Sequence, residues 1–387
     1  MTTETRIKTL SVADDTALRS LEISLGKSKI TTPSKSLGAD LVSPKLSFPN
    51  AGNQLNEIYK SFTSEIMNKI QTDQKYNETK NKEFGKLFNN GSNSPTITLL
   101  DFKERNTENP KIPTVKEIDT LTNFAYTFSD ITPIPALPNY ASKLTINNQE
   151  EFLNYLTSAV TSIEEWNHKP IMGYIPLTVG PILNNIVDLY VEHGINAYYI
   201  DFNRKGPLSN PTALTTIKRR LGKHGLEENH FLHFVNMDYG KTNKEAIYLP
   251  ARDFLGFGSG LDSMGNAHRP RVFVRPTNGT TPIIIPKKFR VFDKEEYGYY
   301  RLEVATLQDT PHFPENALYS RDEILAEPVK ITKEKKMNLV NLQEQTAECQ
   351  QLQLVAAEEV KHSFSYFESK TCLDDKDLKQ IKVKYPR

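Results

Sequence analysis

Three short apolar runs, Ile171-Met-Gly-Tyr-Ile175, Ala197-Tyr-Tyr-Ile-Asp201 and Phe231-Leu-His-Phe-Val235, decide how this chain folds. Two segments with apolar residues at helical spacing, residues 181–193 and 211–224, separate these runs. Strands that alternate with helices of about 10–15 residues are typical of right-handed βαβ units. The stretch therefore predicts a parallel sheet whose functional residues lie at the carboxyl ends of the strands.

The same alternation continues on both sides of this stretch. Further apolar runs near residues 97, 132 and 256 raise the number of predicted strands to six. This pattern favours an α/β fold of the TIM type, a (β/α)8 barrel. An open, doubly wound sheet is the alternative, although no Gly-x-Gly-x-x-Gly opens a helix, which argues against its dinucleotide-binding version.

We expect three segments along the chain. Residues 1–95 should form an antiparallel β flap followed by a helical and mobile excursion, because residues 53–70 have the spacing of an amphipathic helix and residues 71–95 are rich in Asn, Lys and Gly. Residues 96–330 should form the barrel with β additions after it, and residues 331–387 a C-terminal helical extension.

Composition narrows the class of protein. The 387 residues carry a formal net charge of +1, so any contact with nucleic acid must come from local basic patches. Two cysteines are too few for a four-cysteine zinc site, and low cysteine use suits a reducing cytoplasm. We expect no signal peptide and no membrane-spanning helix, since no apolar run is long enough.

Acidic and amide side chains follow several of the predicted strands. Asp101, Asp201, Asn236, Asp238 and Asp262 each end or closely follow an apolar run. In a barrel these side chains would meet at one rim, where carboxylates act as nucleophiles or as acids and bases. The alternative for each is a plain cap of the next helix or turn.

Glycines surround the last of these carboxylates. Gly258 and Gly260 precede Asp262 in Gly256-Phe-Gly-Ser-Gly-Leu-Asp262. Glycine permits positive φ angles and lets the backbone approach a flat ligand closely, so these two glycines are predicted to bind substrate. A surface loop that needs flexible turns is the alternative.

No metal and no cofactor is predicted. His230 and His233 are three residues apart on a predicted strand, so they face opposite sides, and no partner follows at a zinc-finger spacing. Basic clusters are candidates for nucleic-acid contact, with solvated charged faces as the alternative. The members of these clusters are Lys218, Arg219, Arg220, Lys287, Lys288 and Arg290.

Four segments resemble the tRNA-guanine transglycosylases and their DNA-acting relatives, which exchange guanine for 7-deazaguanine bases. They are residues 21–33, Thr98-Leu-Leu-Asp101, residues 171–202 and Gly260-Leu-Asp262; the Asn338-Leu-Val-Asn341 segment is similar to a helix near the end of many archaeal members. The resemblance implies that Asp262 attacks the sugar, that Asp101 moves the proton of the base, and that Asp201 holds the purine edge. It implies tRNA or DNA and a purine or 7-deazapurine base as partners, with oligomerisation left open.

Two other functions stay open from the sequence. The family's Asp-Ser-Gly-Gly-Phe-Gln is here Asp101-Phe-Lys-Glu-Arg-Asn106, and its Gln-Gly-Gly, its later Gly-Gly and its zinc site have no counterpart. These departures favour a catalytically silent subunit that binds nucleic acid or a partner on the same barrel. An unrelated barrel enzyme acting on a small metabolite, with Asp201 and Asp238 as its acid–base pair, is the third candidate.

Overall fold

The structure is a computed structural model that describes most of the chain. It does not describe residues 1–4, 26–27, 50–53, 91–93, 104–109, 146, 167, 178–179, 239–245, 270–288, 303–311, 359–362 and 383–387. The predicted nucleic-acid contacts Lys287 and Lys288 therefore lie outside the described residues.

The described strands are short. In chain order they are β1 (Arg6–Val12), β2 (Arg19–Leu25), β3 (Ser28–Thr31), β4 (Ser34–Lys35), β5 (Leu37–Gly38), β6 (Asn56–Phe62), β7 (Thr96–Phe102), β8 (Thr132–Pro133), β9 (Ile171–Pro176), β10 (Ala197–Asp201), β11 (Phe231–Val235), β12 (Tyr248–Pro250), β13 (Ser263–Met264), β14 (Phe289–Asp293) and β15 (Gly298–Leu302).

Helices lie in each connection from β6 to β11, between β12 and β13, and after β15. They are α1 (Ser64–Thr72), α2 (Gln74–Asn90), α3 (Val115–Thr127), α4 (Pro138–Ala141), α5 (Gln149–Glu164), α6 (Leu183–Glu192), α7 (Pro211–Lys223), α8 (Leu255–Gly258), α9 (Arg321–Leu325), α10 (Lys330–Ala357), α11 (Ser363–Glu368) and α12 (Asp375–Leu378). Single 3-10 turns occupy Gly180–Ile182, Pro207–Ser209 and Arg252–Phe254. In the described part of the chain, no helix combines the length and apolarity that a membrane crossing needs.

The largest sheet has six strands in the order β4-β13-β11-β10-β9-β8, and all its pairings are parallel. Strands β9, β10 and β11 are buried along their whole length, as expected of parallel strands covered by helices. Helices α5, α6 and α7 pack beside one another around this sheet. The prediction of an α/β fold with a parallel sheet is thus confirmed.

A second parallel sheet, β5-β6-β7, adjoins the first at two places. Only Ser36 separates β4 from β5 in the chain. At the other side, Asp101 in β7 forms a parallel bridge with Ala136, just beyond β8. The carboxyl ends of both sets of strands therefore face the same way, and this common rim carries the residues described below.

Two antiparallel sheets flank the parallel strands. The β1-β2-β3 sheet forms the expected N-terminal flap, and β12-β15-β14 packs against the long helix α10. One hydrophobic cluster runs from Leu18 to Ile381 and joins the flap, the parallel strands and the C-terminal helices. The predicted division into three segments stays a prediction, since this shared core does not mark a boundary.

Three local predictions are wrong. Residues 56–62 form strand β6 where a helix was expected, because they pair along their length with β7. Residues 74–90, expected to be mobile, form α2, which buries Phe84. The run near residue 256 forms a 3-10 turn and helix α8, so the strand that follows the glycines begins only at Ser263.

Candidate functional site

Two predicted carboxylates meet at the carboxyl ends of the parallel strands. The guanidinium of Arg269 donates from Nε and Nη2 to the two oxygens of Asp101, at 2.9 and 3.0 Å. Its Nη1 lies 2.5 Å from Oδ2 of Asp201. All three side chains are at least 92% buried. Burial opposes these charges, but Arg269 outweighs it and lowers the pKa of Asp101 to about 2, so this carboxyl is a fixed anion.

Asn236 holds Arg269 in place. It follows β11 with a φ of 54°, a left-handed conformation that Asn tolerates better than most residues. Its side-chain oxygen accepts from the backbone N–H groups of His268 and Arg269, and its amide donates to Asp201 at 3.1 Å. This residue therefore bends the segment after β13 across the strand ends.

Asp101 also connects to the neighbouring strand β6. The hydroxyl of Tyr59 donates to its Oδ2 at 2.6 Å, and Nζ of Lys103 lies 3.0 Å from the same oxygen. The Tyr59 ring stacks on His268 with centroids 4.3 Å apart. The pair forms an aromatic platform beside the carboxylate cluster.

Glu57 forms a second buried anion on β6. It pairs with Nε2 of His268 and accepts from the backbone N–H of Asn266 at 3.1 Å. Burial favours its neutral form, yet His268 and the more distant His233 and Lys35 lower the pKa of Glu57 to about 2. Glu57 is thus a permanent negative charge within the strand ends.

Lys35 and His233 lie beside Glu57. The Lys35 ammonium donates to Oδ1 of Asn266 at 2.8 Å and to the carbonyl of Gly265 at 3.0 Å, and burial lowers its pKa. Burial also lowers the pKa of His233 to about 4, so this imidazole is neutral at pH 7. Neither ring nitrogen of His233 has a hydrogen-bond partner among the described residues.

Gly265 occupies the place where β13 ends. A Cβ built there would lie 2.9 Å from both Glu57 and His233 and 2.6 Å from Val235, so no side chain fits without displacing buried atoms. The end of β13 therefore presents backbone, and no carboxylate, to the cluster.

A cavity of about 810 Å³ opens beside this cluster. One side carries Lys35, Glu57, Tyr59 and His268, and the other side comes from β15 and helix α10. A volume in this range suits a ligand the size of a nucleoside.

Asp253 is an acid of this cavity whose pKa lies close to neutral pH. It is 7% exposed, and burial raises its pKa to about 6 against the effect of a hydrogen bond from Tyr299. The Tyr299 hydroxyl donates to Oδ2 at 2.6 Å and itself accepts from Nε2 of Gln345 at 3.0 Å. The other oxygen, Oδ1, has no partner among the described residues. A pKa close to neutral pH is what a general acid or base needs, because the group can then both give up and accept a proton.

Asp262 does not join these residues, in contrast to the prediction. It precedes β13, accepts from the backbone N–H of Leu232 near the start of β11, and is fully buried. Both oxygens bind Arg19 of the flap, at 2.7 and 2.8 Å. The reason is that the glycine-rich segment forms helix α8, which places Asp262 at the amino ends of the strands, opposite Asp101.

The predicted substrate-binding glycines also lie away from the carboxyl ends of the strands. Gly258 packs against Ile381 and Phe367, and Gly260 lies with a φ of 82° beside Lys218. Asp238 is buried near Gly206, and its backbone N–H donates to the carbonyl of Lys205. It lies on the same side as Asp201 and Asn236, just beyond β11.

The described residues of the predicted basic clusters lie at different ends of the parallel strands. Lys218, Arg219 and Arg220 lie in the later half of α7, which leads to the amino end of β11, and Arg220 pairs with Asp188. Arg290 lines the cavity. Of the predicted nucleic-acid contacts that the structure describes, Arg290 alone lies beside the candidate site.

One group of side chains in the described residues can hold a metal ion. A nitrogen of His312 and one oxygen each of Asp293 and Glu296 lie within 4.8 Å of one another. His312 already pairs with Asp293 at 2.8 Å, and Tyr300 donates to Glu296. The expectation that the protein uses no metal and no cofactor stays a prediction.

Sequence reasoning missed Glu57, Asp253 and Arg269. Glu57 lay in a segment interpreted as a helix, and Asp253 in one interpreted as a strand. Arg269 follows the last strand of the parallel sheet by a few residues, and loops at this position reach the carboxyl ends of the strands. This position is the signal that could have identified it.

Comparison with known proteins adds no assignment: no protein-family model matches this chain, and no curated protein sequence matches it.

Proposed function

We propose that the two parallel sheets form one closed (β/α)8 barrel. Three features support closure: β4 pairs with β13, β5 pairs with β6, and the bridge from Asp101 to Ala136 links β7 to the β8 segment. Taking β4 and β5 as one strand interrupted at Ser36 gives eight parallel strands. The cluster and the cavity would then lie at the carboxyl-terminal mouth, where barrel enzymes carry their active sites.

We further propose that the protein is a pentosyltransferase that exchanges a purine or 7-deazapurine base in tRNA or DNA. The supporting observation is that one cavity holds two carboxyl groups with pKa values pushed apart, about 2 for Glu57 and about 6 for Asp253. Such a pair is the usual arrangement for glycosyl transfer, with one group kept ionised and the other able to carry a proton.

The proposed roles follow from these charges. Protonated Asp253 donates its proton to the departing base as the N-glycosidic bond breaks. The resulting carboxylate takes a proton from the incoming base as a nitrogen of that base bonds to the anomeric carbon of the sugar. The fixed charge of Glu57 stabilises the positive charge that develops on the sugar. The Tyr59–His268 platform offers a flat surface to the base, which must leave its stack to enter.

The proposal differs from the family mechanism in its nucleophile. The pairing of Asp262 with Arg19 and its distance from the cavity argue against a covalent intermediate on this residue. Gly265 offers no carboxylate at the end of β13. We therefore propose exchange without a bond to Asp262.

The test is exchange of radiolabelled guanine into tRNA and into DNA. We expect exchange by the wild type, its loss in Asp253→Asn, and no adduct of protein and nucleic acid on denaturing gels. The matched control Asp375→Asn removes a solvent-exposed carboxyl outside the cavity and should leave exchange within about twofold. Exchange at the wild-type rate in Asp253→Asn, or an adduct that Asp262→Asn abolishes, refutes this mechanism.

A catalytically silent subunit is the second candidate, and one observation favours it. Arg269 occupies both Asp101, the carboxylate expected to move the proton of the base, and Asp201, the carboxylate expected to hold its edge. Salt-dependent binding of tRNA or DNA, without exchange under any condition that preserves the fold, would identify this function.

A further inference from the structure

A second cavity lies at the opposite end of the parallel strands, and the function proposed above does not use it. It has a volume of about 630 Å³ between the flap strand β1, the later part of α7 and the loop that enters β11. Its walls include Val12, Arg19, Lys218 and His230. Because β11 begins at Phe231, this cavity opens at the amino ends of the strands.

His230 lines this cavity and has a buried acceptor that no described residue uses. Its Nδ1 lies 2.5 Å from the carbonyl oxygen of Leu226, and a carbonyl can only accept, so Nδ1 carries the hydrogen. Burial, with the nearby charge of Arg19, lowers the pKa of His230 well below its ordinary value, so the ring is neutral. Its Nε2 is therefore an acceptor, and it has no partner among the described residues although the side chain is 97% buried.

The fold brings Lys218 into the same cavity. Its ammonium lies over Gly260, where a Cβ would overlap Nζ. The φ of 82° at Gly260 also disfavours any side chain at that position. The glycine thus leaves room for the Lys218 ammonium, which carries three N–H donors to divide between its contacts in the protein and a ligand.

Arg19 fixes the wall between these two groups. It donates to Asp262, to the carbonyl of Glu227 at 3.0 Å and to the carbonyl of His230 at 3.0 Å, so it holds the loop that carries the imidazole. The charge of Asp262 is matched by this pairing. Glu227 and Glu228 are solvent-exposed acids of the same loop, so their charges are screened by water.

We infer that this cavity is a binding site for a small hydroxylated carboxylate. Its hydroxyl would donate to Nε2 of His230, its carboxylate would accept from Lys218, and its apolar body would contact Val12 and Ala17. A ligand of this kind satisfies the buried acceptor, which a simple anion cannot do because it has no hydrogen to donate. The inference does not depend on base exchange, since the two sites lie at opposite ends of the strands.

The probes are 3- and 4-hydroxybenzoate, which differ in the spacing of hydroxyl and carboxylate, with benzoate and phenol each lacking one group. Calorimetry on the full chain should show that at least one hydroxybenzoate binds about tenfold tighter than benzoate and phenol, as expected for one hydrogen bond to a buried group. Binding should also shift the His230 ring resonances in NMR spectra, which reports the acceptor without any substitution.

The decisive variant is Lys218→Met, with Arg219→Met as its matched control on the same helix. The first should weaken binding at least about tenfold, and the second, which removes the same charge from an exposed position outside the cavity, should stay within about twofold. The inference is overturned if neither hydroxybenzoate binds, if benzoate binds equally well, or if both variants lose binding to the same extent.

Discussion

Asp253→Asn should gain stability relative to the wild type as the pH rises from acid to neutral. The pKa of this carboxyl rises from 3.8 to about 6 on folding because of burial. A shift of about two units corresponds to about 3 kcal/mol between the two protonation states. The folded protein binds the proton more tightly than the unfolded chain, so this stability is fully present below about pH 4 and is lost as the pH rises through about 6.

Asparagine keeps the shape of the side chain but does not titrate. Its effect on packing is the same at every pH, so the difference in unfolding free energy between variant and wild type isolates the titration of Asp253. That difference should move by about 2.4 kcal/mol in favour of the variant between about pH 4 and about pH 8, which is most of the full shift. The other acids of the site, Glu57 and Asp101, cancel because both proteins contain them.

Urea denaturation across this pH range measures the difference directly. Asp375→Asn should shift the unfolding free energy by less than about 0.5 kcal/mol at each pH, because this side chain is solvent-exposed. A wild-type-minus-variant difference that stays flat between about pH 4 and about pH 8 would show that Asp253 does not titrate near 6, and its proposed role in proton transfer would fall with it.

Two further predictions concern the buried ion pairs. Arg269→Ala leaves Asp101 and Asp201 buried without their cation and should lower the unfolding free energy by about 3–5 kcal/mol, with partial recovery in millimolar methylguanidinium; a loss below about 1 kcal/mol contradicts the triad. Asp262→Asn leaves the buried Arg19 without its anionic partner and should lower the unfolding free energy by a similar amount in urea denaturation. Base exchange per folded molecule should stay unchanged. Loss of activity in a fully folded variant would show that Asp262 takes part in the mechanism.

The parallel sheet could be predicted because its signal is local. In Ile171–Pro176 and Ala197–Asp201 every residue is buried, and a helix with apolar residues at helical spacing lies between them. The start of α3 also has a local signal, because Thr114 and Glu117 form the capping box that their spacing indicates. Such features depend on neighbours within a few residues, which a sequence displays directly.

Strand β6 could not be predicted because its neighbours are distant in the chain. Its apolar residues Ile58 and Phe62 are four apart, a spacing that a helix also uses. The segment forms a strand because it pairs with β7, which lies about 40 residues away in the chain. The same misassignment hid Glu57, and hence the anion on which the proposed site depends.

Arg269 illustrates a second limit. Its partner Asp101 lies 168 residues earlier, and an arginine after a strand carries no mark of the carboxylate it will meet. The rule that functional groups gather at the carboxyl ends of parallel strands predicts that Asp101 and Asp201 converge, and they do so on this guanidinium. The rule gives the place of the acids but not the identity of the group between them.

The misplacement of Asp262 shows how a few residues decide a mechanism. Ser263 pairs with His233 in the middle of β11, while Asp201 pairs with Val235 at its end. An aspartate that follows a strand lies at the carboxyl-terminal rim, and one that precedes a strand lies at the opposite end. Because residues 255–258 form a helix, the strand starts after Asp262 instead of ending before it. The carboxylate that a sequence would assign to catalysis thereby becomes the anchor of the flap, and the proposed base exchange depends on groups of other elements.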